Sequence, residues 1–225
     1  MIMASCATAR RGLFAACTAF AIGVSALSAA PALAADPAAG TWRYTVFRDG
    51  SPIGDHSISF APAGDQLQVD IKTDIAVKIA FVTAFRFEHS SHEVWKGGRL
   101  QSLTASTNDD GKQHTVTAKA DGTSLAVTAD GATSSRPAET LVHNQWNMDN
   151  LKAPVLLSAF DGTDYKVSSS GPQTETVEIG SRSFSARKYT VSGDLVRTFW
   201  FDDQNRLLKV AFESRGSNVV YELKP

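Results

Sequence analysis

Gln66-Leu67-Gln68-Val69-Asp70-Ile71-Lys72-Thr73-Asp74-Ile75-Ala76-Val77-Lys78-Ile79 alternates without a break. Leu67, Val69, Ile71, Thr73, Ile75, Val77 and Ile79 fall on one side, and Gln68, Asp70, Lys72, Asp74, Ala76, Lys78 and then Ala80 on the other. Successive side chains of a strand point to opposite faces, so the pattern predicts a long strand with one buried and one wet face. A helix would need apolar residues three and four apart, and the stretch does not supply them.

The same period of two recurs on both sides of this stretch, separated by short turn signals rich in glycine, aspartate and asparagine. Upstream, Trp42, Tyr44 and Val46 precede Asp49-Gly50, and His56, Ile58 and Phe60 precede Ala63-Gly64-Asp65. Downstream, Phe81 to Trp95 reads as another long strand ended by Gly97-Gly98. Leu100 to Thr107 leads to Asn108-Asp109-Asp110-Gly111, His114 to Ala118 leads to Asp121-Gly122, and Leu125 to Val127 leads to Asp130-Gly131. These runs predict a meander of antiparallel hairpins. The pattern lapses between Ser134 and Gly162, where His143-Asn144-Gln145-Trp146-Asn147-Met148-Asp149-Asn150 has neither strand alternation nor a long apolar helical face. A loop with one helical turn is expected there. Strands resume at Lys166 to Ser169, Glu175 to Ile179, Ser183 to Val191, Leu195 to Phe201, Leu207 to Phe212 and Val219 to Leu223.

The chain of 225 residues opens with a segment that is not part of this pattern. Met1 to Ala34 has no acidic residue, carries Arg10-Arg11, runs apolar from Gly12 to Ala30 and ends in Ala32-Leu33-Ala34. Those features predict a signal peptide over 1–34 and one secreted β domain over 35–225, in a bacterial periplasm or outside the cell. Arg10-Arg11 fits either general or twin-arginine export. Cleavage would leave 191 residues, move the net charge from −1 to −3, and remove both cysteines, Cys6 and Cys17. The exported chain would then hold no disulfide, thiolate nucleophile or cysteine-bound metal. No concentrated basic footprint is left for nucleic acid, and no later run reaches the ~18 apolar residues of a membrane-spanning helix. A domain of this size buries roughly 70% of its unfolded surface and needs no staple. Its twist has to curl so large a sheet. The expected fold is all-β, a single antiparallel meander curled into a half-barrel or barrel, with one irregular loop around 134–162.

Catalytic signatures are absent or broken. No Gly-x-Ser-x-Gly elbow, phosphate-binding glycine loop or Cys-x-x-Cys occurs, and His92-Glu93 lacks the second histidine of a zinc-protease helix because Lys96 stands there. His89 and Glu93 share a strand face, whereas His92 points the other way. Asp149 lies near His143 in the irregular loop with no nucleophile logic beyond proximity. No catalytic residue, metal or cofactor is assigned. The informative residues are aromatic: Phe81, Phe85, Phe87 and Trp95 share one strand parity, Phe199 and Phe201 share a face, and Trp146 sits in the loop that could cross the mouth of a curved sheet. Phe81, Phe85, Phe87, Trp95, Trp146 and Phe199 are therefore the candidate lining for an apolar ligand, or simply barrel core. Ile79-Ala80-Phe81-Val82 is apolar on both parities, which implies cover on two sides or a partner.

Glu93-Val94-Trp95-Lys96-Gly97-Gly98-Arg99-Leu100-Gln101-Ser102-Leu103, followed by Thr107-Asn108-Asp109-Asp110-Gly111, resembles a family of secreted bacterial domains of unknown function. Tyr44-x-Val46-x-Arg48-Asp49-Gly50-x-x-Ile53-Gly54 and the closing Trp200-Phe201-Asp202 through Leu207 look like the same family. The resemblance spans essentially the whole secreted part, and its motifs fall at strand ends and turns, so it implies kinship and no reaction. In architecture alone, a signal followed by strands is similar to periplasmic lipoprotein and lipid carriers of the LolA and LolB type. The expected function is a non-enzymatic periplasmic protein that binds a hydrophobic small molecule, a lipid or acyl chain, in its curved sheet. An envelope scaffold that binds another protein, and a hydrolase acting on an envelope substrate, are the alternatives.

Overall fold

Alternation becomes strand wherever a turn residue lets the chain reverse. At Asp49 (φ 49°) and Gly50 (φ 80°) two successive left-handed residues form a tight reversal whose twist matches the flanking strands. The computed structural model describes residues 37–79 and 81–224, and the side chain of Ile79 is not described. The signal read at 1–34, with Cys6 and Cys17, lies outside the described residues, as does Ala80 of the apolar patch.

Among the described residues fifteen strands follow one another: β1 (Gly40–Arg48), β2 (Ser51–Ala63), β3 (Gln66–Ile79), β4 (Val82–Lys96), β5 (Arg99–Asp109), β6 (Lys112–Ala120), β7 (Ser124–Ala129), β8 (Ala132–Pro137), β9 (Leu141–His143), β10 (Val155–Ser158), β11 (Asp164–Ile179), β12 (Arg182–Gly193), β13 (Arg197–Phe201), β14 (Leu207–Ser214) and β15 (Ser217–Leu223). They form one sheet. β1 and β15 pair near its middle, with Tyr44 opposite Leu223 and Val46 opposite Tyr221. β2 to β8 extend from β1 towards one edge, and β14 back to β9 extend from β15 towards the other. β8 and β9 are the edges and do not pair, so the sheet is not closed.

Twist brings the two halves together all the same. Arg136 on edge strand β8 pairs with Asp164 at the start of β11 (2.9 Å). The turn between β10 and β11 rests on β6 and β7, where a Cβ on Gly162 would overlap that of Ala129 and also touch Val116. That glycine lets the two backbones meet. The result is an all-β, barrel-like fold, with no α-helix among the described residues.

Three expectations need correction. Residues 134–162 are not one loop: they contain the end of β8, all of β9 and β10, and a 3-10 turn at Met148–Leu151. β9 and β10 have three and four residues, too short for alternation to register. They also run parallel, Leu141 opposite Leu156 and His143 opposite Ser158, so the sheet is not wholly antiparallel. The eleven intervening residues, 144–154, are long enough to carry the chain back to the same end, as a parallel pair requires. Finally, the two strands expected between Lys166 and Ile179 are one, β11, interrupted by a register shift between Ser170 and Gln173.

Inward-facing residues fill the core along every strand but edge strand β8, among them Tyr44, Ile58, Val69, Trp95, Leu103, Val116, Leu125, Leu157, Phe201 and Val210. One ladder level is polar. His56 stands opposite Thr73, Thr73 opposite His89, and His89 opposite Thr107, so four adjacent strands contribute one buried row. His56 Nδ1 lies 2.8 Å from Thr73 Oγ1, and His89 Nδ1 lies 2.9 Å from Thr107 Oγ1.

Candidate functional site

The polar row divides the interior. On β3 and β4 it separates Ile75, Phe87 and Phe85 from Ile71, Glu93 and Trp95. The two sides are built differently.

On the first side the side chains leave a cavity of about 460 Å³. Ile75, Val77, Phe85, Phe87, Phe160, Phe212, Val219 and Tyr221 wall it, so the surroundings are mostly apolar and aromatic. Phe160 comes from the turn after β10 and meets Phe87 edge-on at 5.5 Å between ring centroids. Arg215 lies over the Phe85 ring (4.3 Å) and bonds Asp109 at 3.0 Å, which places an ion pair at the solvent rim. Arg48 also lines this cavity. Its size and lining match small-molecule sites, which are largely apolar with a few placed polar groups.

The placed polar groups are Arg197, Gln145 and Tyr221. Arg197 shares its inward parity with Phe199 and Phe201 on β13, and its guanidinium stacks 3.7 Å from the Phe212 ring centroid. Its Nε and Nη1 are sealed from solvent and have no hydrogen-bond acceptor, and the Gln145 side-chain oxygen is likewise unpartnered. Burial holds the Arg197 pKa below its ordinary value, while the phenols of Tyr221 and Tyr165 oppose that. Burial also pushes the Tyr221 pKa up to about 12, against the pull of Arg197. Behind this wall His143 is buried with neither ring nitrogen bonded. Burial, then the Arg197 charge, then His89, take its pKa down to about 3, so it is neutral at pH 7.

On the other side the space is closed by tryptophan. Trp95 and Trp146 pack edge-on at 5.5 Å, and Phe60 meets Trp146 at 5.7 Å. Glu93, fully buried, gathers them: its Oε2 accepts from Trp95 Nε1 (2.8 Å), Asn144 Nδ2 (3.2 Å) and Trp146 Nε1 (3.3 Å), while Oε1 has no partner. Burial raises its pKa to about 7, and the three N–H donors limit the rise. The asparagines explain how an irregular segment holds this geometry. Asn150 Nδ2 donates to the carbonyls of Val142 (3.0 Å) and Asn144 (3.2 Å), and Asn144 Oδ1 accepts from the Asn147 backbone (3.1 Å), replacing ladder bonds with side-chain ones. An outer cleft of about 700 Å³ lies beyond the indoles, bordered by Trp42, Met148 and Arg206, with Trp95 and Trp146 as its floor.

The six aromatic residues singled out in the sequence therefore separate. Phe85 and Phe87 line the cavity. Trp95 and Trp146 belong to the opposite end, and Phe199 is core, stacked on Phe201. Phe81 sits fully exposed at the tip between β3 and β4, with Val82 beside it. The register shift between Val77 and Lys78 explains its position: Val77 pairs with Phe85 but Lys78 pairs with Thr83, so strand parity is lost before Phe81 is reached. His89 and Glu93 do share the inward face, though each is occupied by its own partners, and the described residues contain no cluster of three metal-ligating side chains. His143 and Asp149 do not meet; Asp149 pairs with Lys152 at 2.8 Å. Sequence reading missed Arg197, although a lone arginine at the inward parity of Phe199 and Phe201 was a visible signal.

No helix among the described residues is long and apolar enough to cross a membrane. Curated proteins provide no match. Among solved structures the chain is similar to a beta-barrel-like protein of domain of unknown function DUF1849 from Brucella abortus. The similarity has a TM-score of 0.57 at 10% identity and covers 82% of this chain and 95% of that one. At that identity the likeness concerns the fold alone. Residues 44–224 match the family model of the domain of unknown function DUF6134, from the middle of β1 to the residue after β15, and the chain belongs to that family.

Proposed function

We propose that this chain is a non-enzymatic periplasmic binding protein that holds a hydrophobic ligand, a lipid or acyl chain, inside its curved sheet. The observation that carries the reading is the cavity of about 460 Å³ walled by Phe85, Phe87, Phe160 and Phe212, which the protein's own side chains leave unfilled. Apolar space in a core close-packed elsewhere forfeits dispersion contacts, and an apolar occupant restores them. The leader read at 1–34 supports the periplasmic setting. Protein purified from its native host should release a lipid on organic extraction, detected by mass spectrometry. The emptied protein should then bind fluorescent fatty-acyl probes. Phe87→Asp, which puts a carboxylate in the cavity wall, should abolish that binding while the circular dichroism spectrum stays that of a strand-rich fold. Absence of both lipid and probe binding in the unaltered protein would retire the reading.

A second reading, a scaffold that docks another envelope protein, is supported by Phe81 and Val82, exposed together at the tip between β3 and β4. Crosslinking from that tip that recovers one stoichiometric partner, with no extracted lipid, would favour it.

A further inference from the structure

We infer that the ligand is a single-chain amphiphile with an anionic head group, and that Arg197 is the residue that binds the head. This rests on the reading of the cavity as a ligand site and names the class of molecule it takes.

Arginine stays charged even when buried, so burying its guanidinium demands an acceptor. Arg197 lines the cavity with Nε and Nη1 sealed from solvent and unbonded. Among the described residues no carboxylate pairs with it; the acidic groups that face it are the phenols of Tyr221 and Tyr165. Its contact with the Phe212 ring stabilises the cation but supplies no hydrogen-bond acceptor. The other two arginines of the lining are placed differently. Arg215 is largely exposed and already holds Asp109, and Arg48 lies at the rim end of β1. Three arginines and one aspartate leave the cavity positive. Of the three, only Arg197 has guanidinium nitrogens sealed from solvent without a partner.

A carboxylate or phosphate ester entering this space would give Arg197 a charge-assisted acceptor. The Tyr221 hydroxyl and the Gln145 amide, both in the lining, are further donors within the same wall. The chain of the ligand then lies along Phe87, Phe85 and Val77, towards the tip between β3 and β4. The orientation is head inward and tail outward. A neutral lipid would leave the buried cation as it is, and a cationic one would be repelled.

The test is calorimetric titration of the delipidated protein with dodecanoate, monododecyl phosphate, 1-dodecanol and dodecyltrimethylammonium. At least one of the two anions should bind ten times or more tighter than the alcohol, and the cation should not bind; the tighter anion identifies the head group. Arg197→Gln should bring the anions down to the affinity of the alcohol and leave the alcohol unchanged, while Arg197→Lys should recover part of the difference. Equal binding of anions and alcohol by the unaltered protein would overturn the inference and leave the hydrophobic-ligand reading standing. No binding of any of the four would overturn both. Should Arg197→Gln not fold, the comparison of the four ligands on the unaltered protein decides alone.

Discussion

The two ends of the barrel interior share strands β3 and β4, yet one is open and lined by phenylalanine and the other is filled by tryptophan. At the tryptophan end one oxygen of a buried carboxylate gathers three donors: Glu93 Oε2 accepts from two indoles and an amide. At the cavity end the Nε and Nη1 of a buried guanidinium have no acceptor, and the rings around it border open space. A buried ionisable group costs free energy to the extent that donors or acceptors within the protein leave it unsatisfied, and on that count the two ends differ. Between them lies the His56, Thr73, His89, Thr107 row, in which each histidine Nδ1 pairs with a threonine hydroxyl while His56 Nε2 has no partner.

Acid should break the molecule at its buried histidines, two of them in this row and His143 behind the cavity wall. His56, His89 and His143 take up protons near pH 6.5 when unfolded but only at about 3, 4 and 3 when folded, because burial penalises the imidazolium. Their contribution is present above 6.5 and lost as pH falls. Glu93 works in the opposite sense: its pKa rises from 4.5 to about 7 on folding, so its contribution is present below 4.5 and lost as pH rises through 7. Between pH 4.5 and 6.5 three histidine protons oppose one carboxyl proton, and stability should climb with pH by about 3 kcal/mol per pH unit. Urea titrations at several pH values measure that slope; a flat profile would mean that these histidines are not buried neutral.

Next in size, Trp95→Ala should cost about 3–5 kcal/mol in the same assay, because the tryptophan end has nothing to fill the void. Phe85→Ala, on a half-buried wall of a cavity that exists already, should cost well under half as much. A similar loss at both positions would erase the distinction between the ends. Glu93→Gln sharpens it further, since the amide cannot ionise. Relative to the unaltered protein it should gain about 2–3 kcal/mol between pH 5 and pH 8. An unchanged difference across that range would show that the carboxyl titrates as an exposed one does. The smallest effect belongs to Phe81→Ser, expected within ±0.5 kcal/mol because the ring touches nothing. A larger loss there would extend the folded core to the tip.

Most of the fold was legible because a period of two survives wherever one face is buried, as from Leu67 to Ile75. The strands that escaped, β9 and β10, are shorter than the window in which alternation can be seen, and one parallel pairing leaves no local mark. Parity placed Phe85 and Phe87 on the inward face and failed at Phe81, since a register shift transmits nothing to the composition around it. Trp95 and Trp146 were correctly read as neighbours of the interior but not as an opposite end, because parity fixes the face and not the level along a strand. Arg197 was missed, and Glu93 was placed on the right face without its partners, for a common reason. Whether a charged residue on an inward face is paired depends on partners such as Asn144 and Trp146, which lie 51 and 53 residues from Glu93.

The pairing of β1 with β15 also sets the order of assembly. Apart from that pair, and the crossover between β9 and β10, every ladder in the sheet joins a strand to the next through a short reversal or a single turn. Read across the sheet, the strands run β9 to β15 and then β1 to β8, so the polypeptide is a circular permutation of a linear meander with one parallel crossover at its start. Two halves can form locally, and one contact between residues about 180 apart must then join them, the kind of loop closure that slows folding. Linking residue 224 to residue 37 and opening the chain between Pro137 and Leu141 would remove that closure while leaving every strand neighbour in place. Stopped-flow refolding should be faster for the rearranged chain, and an unchanged rate would show that the β1 and β15 seam forms early.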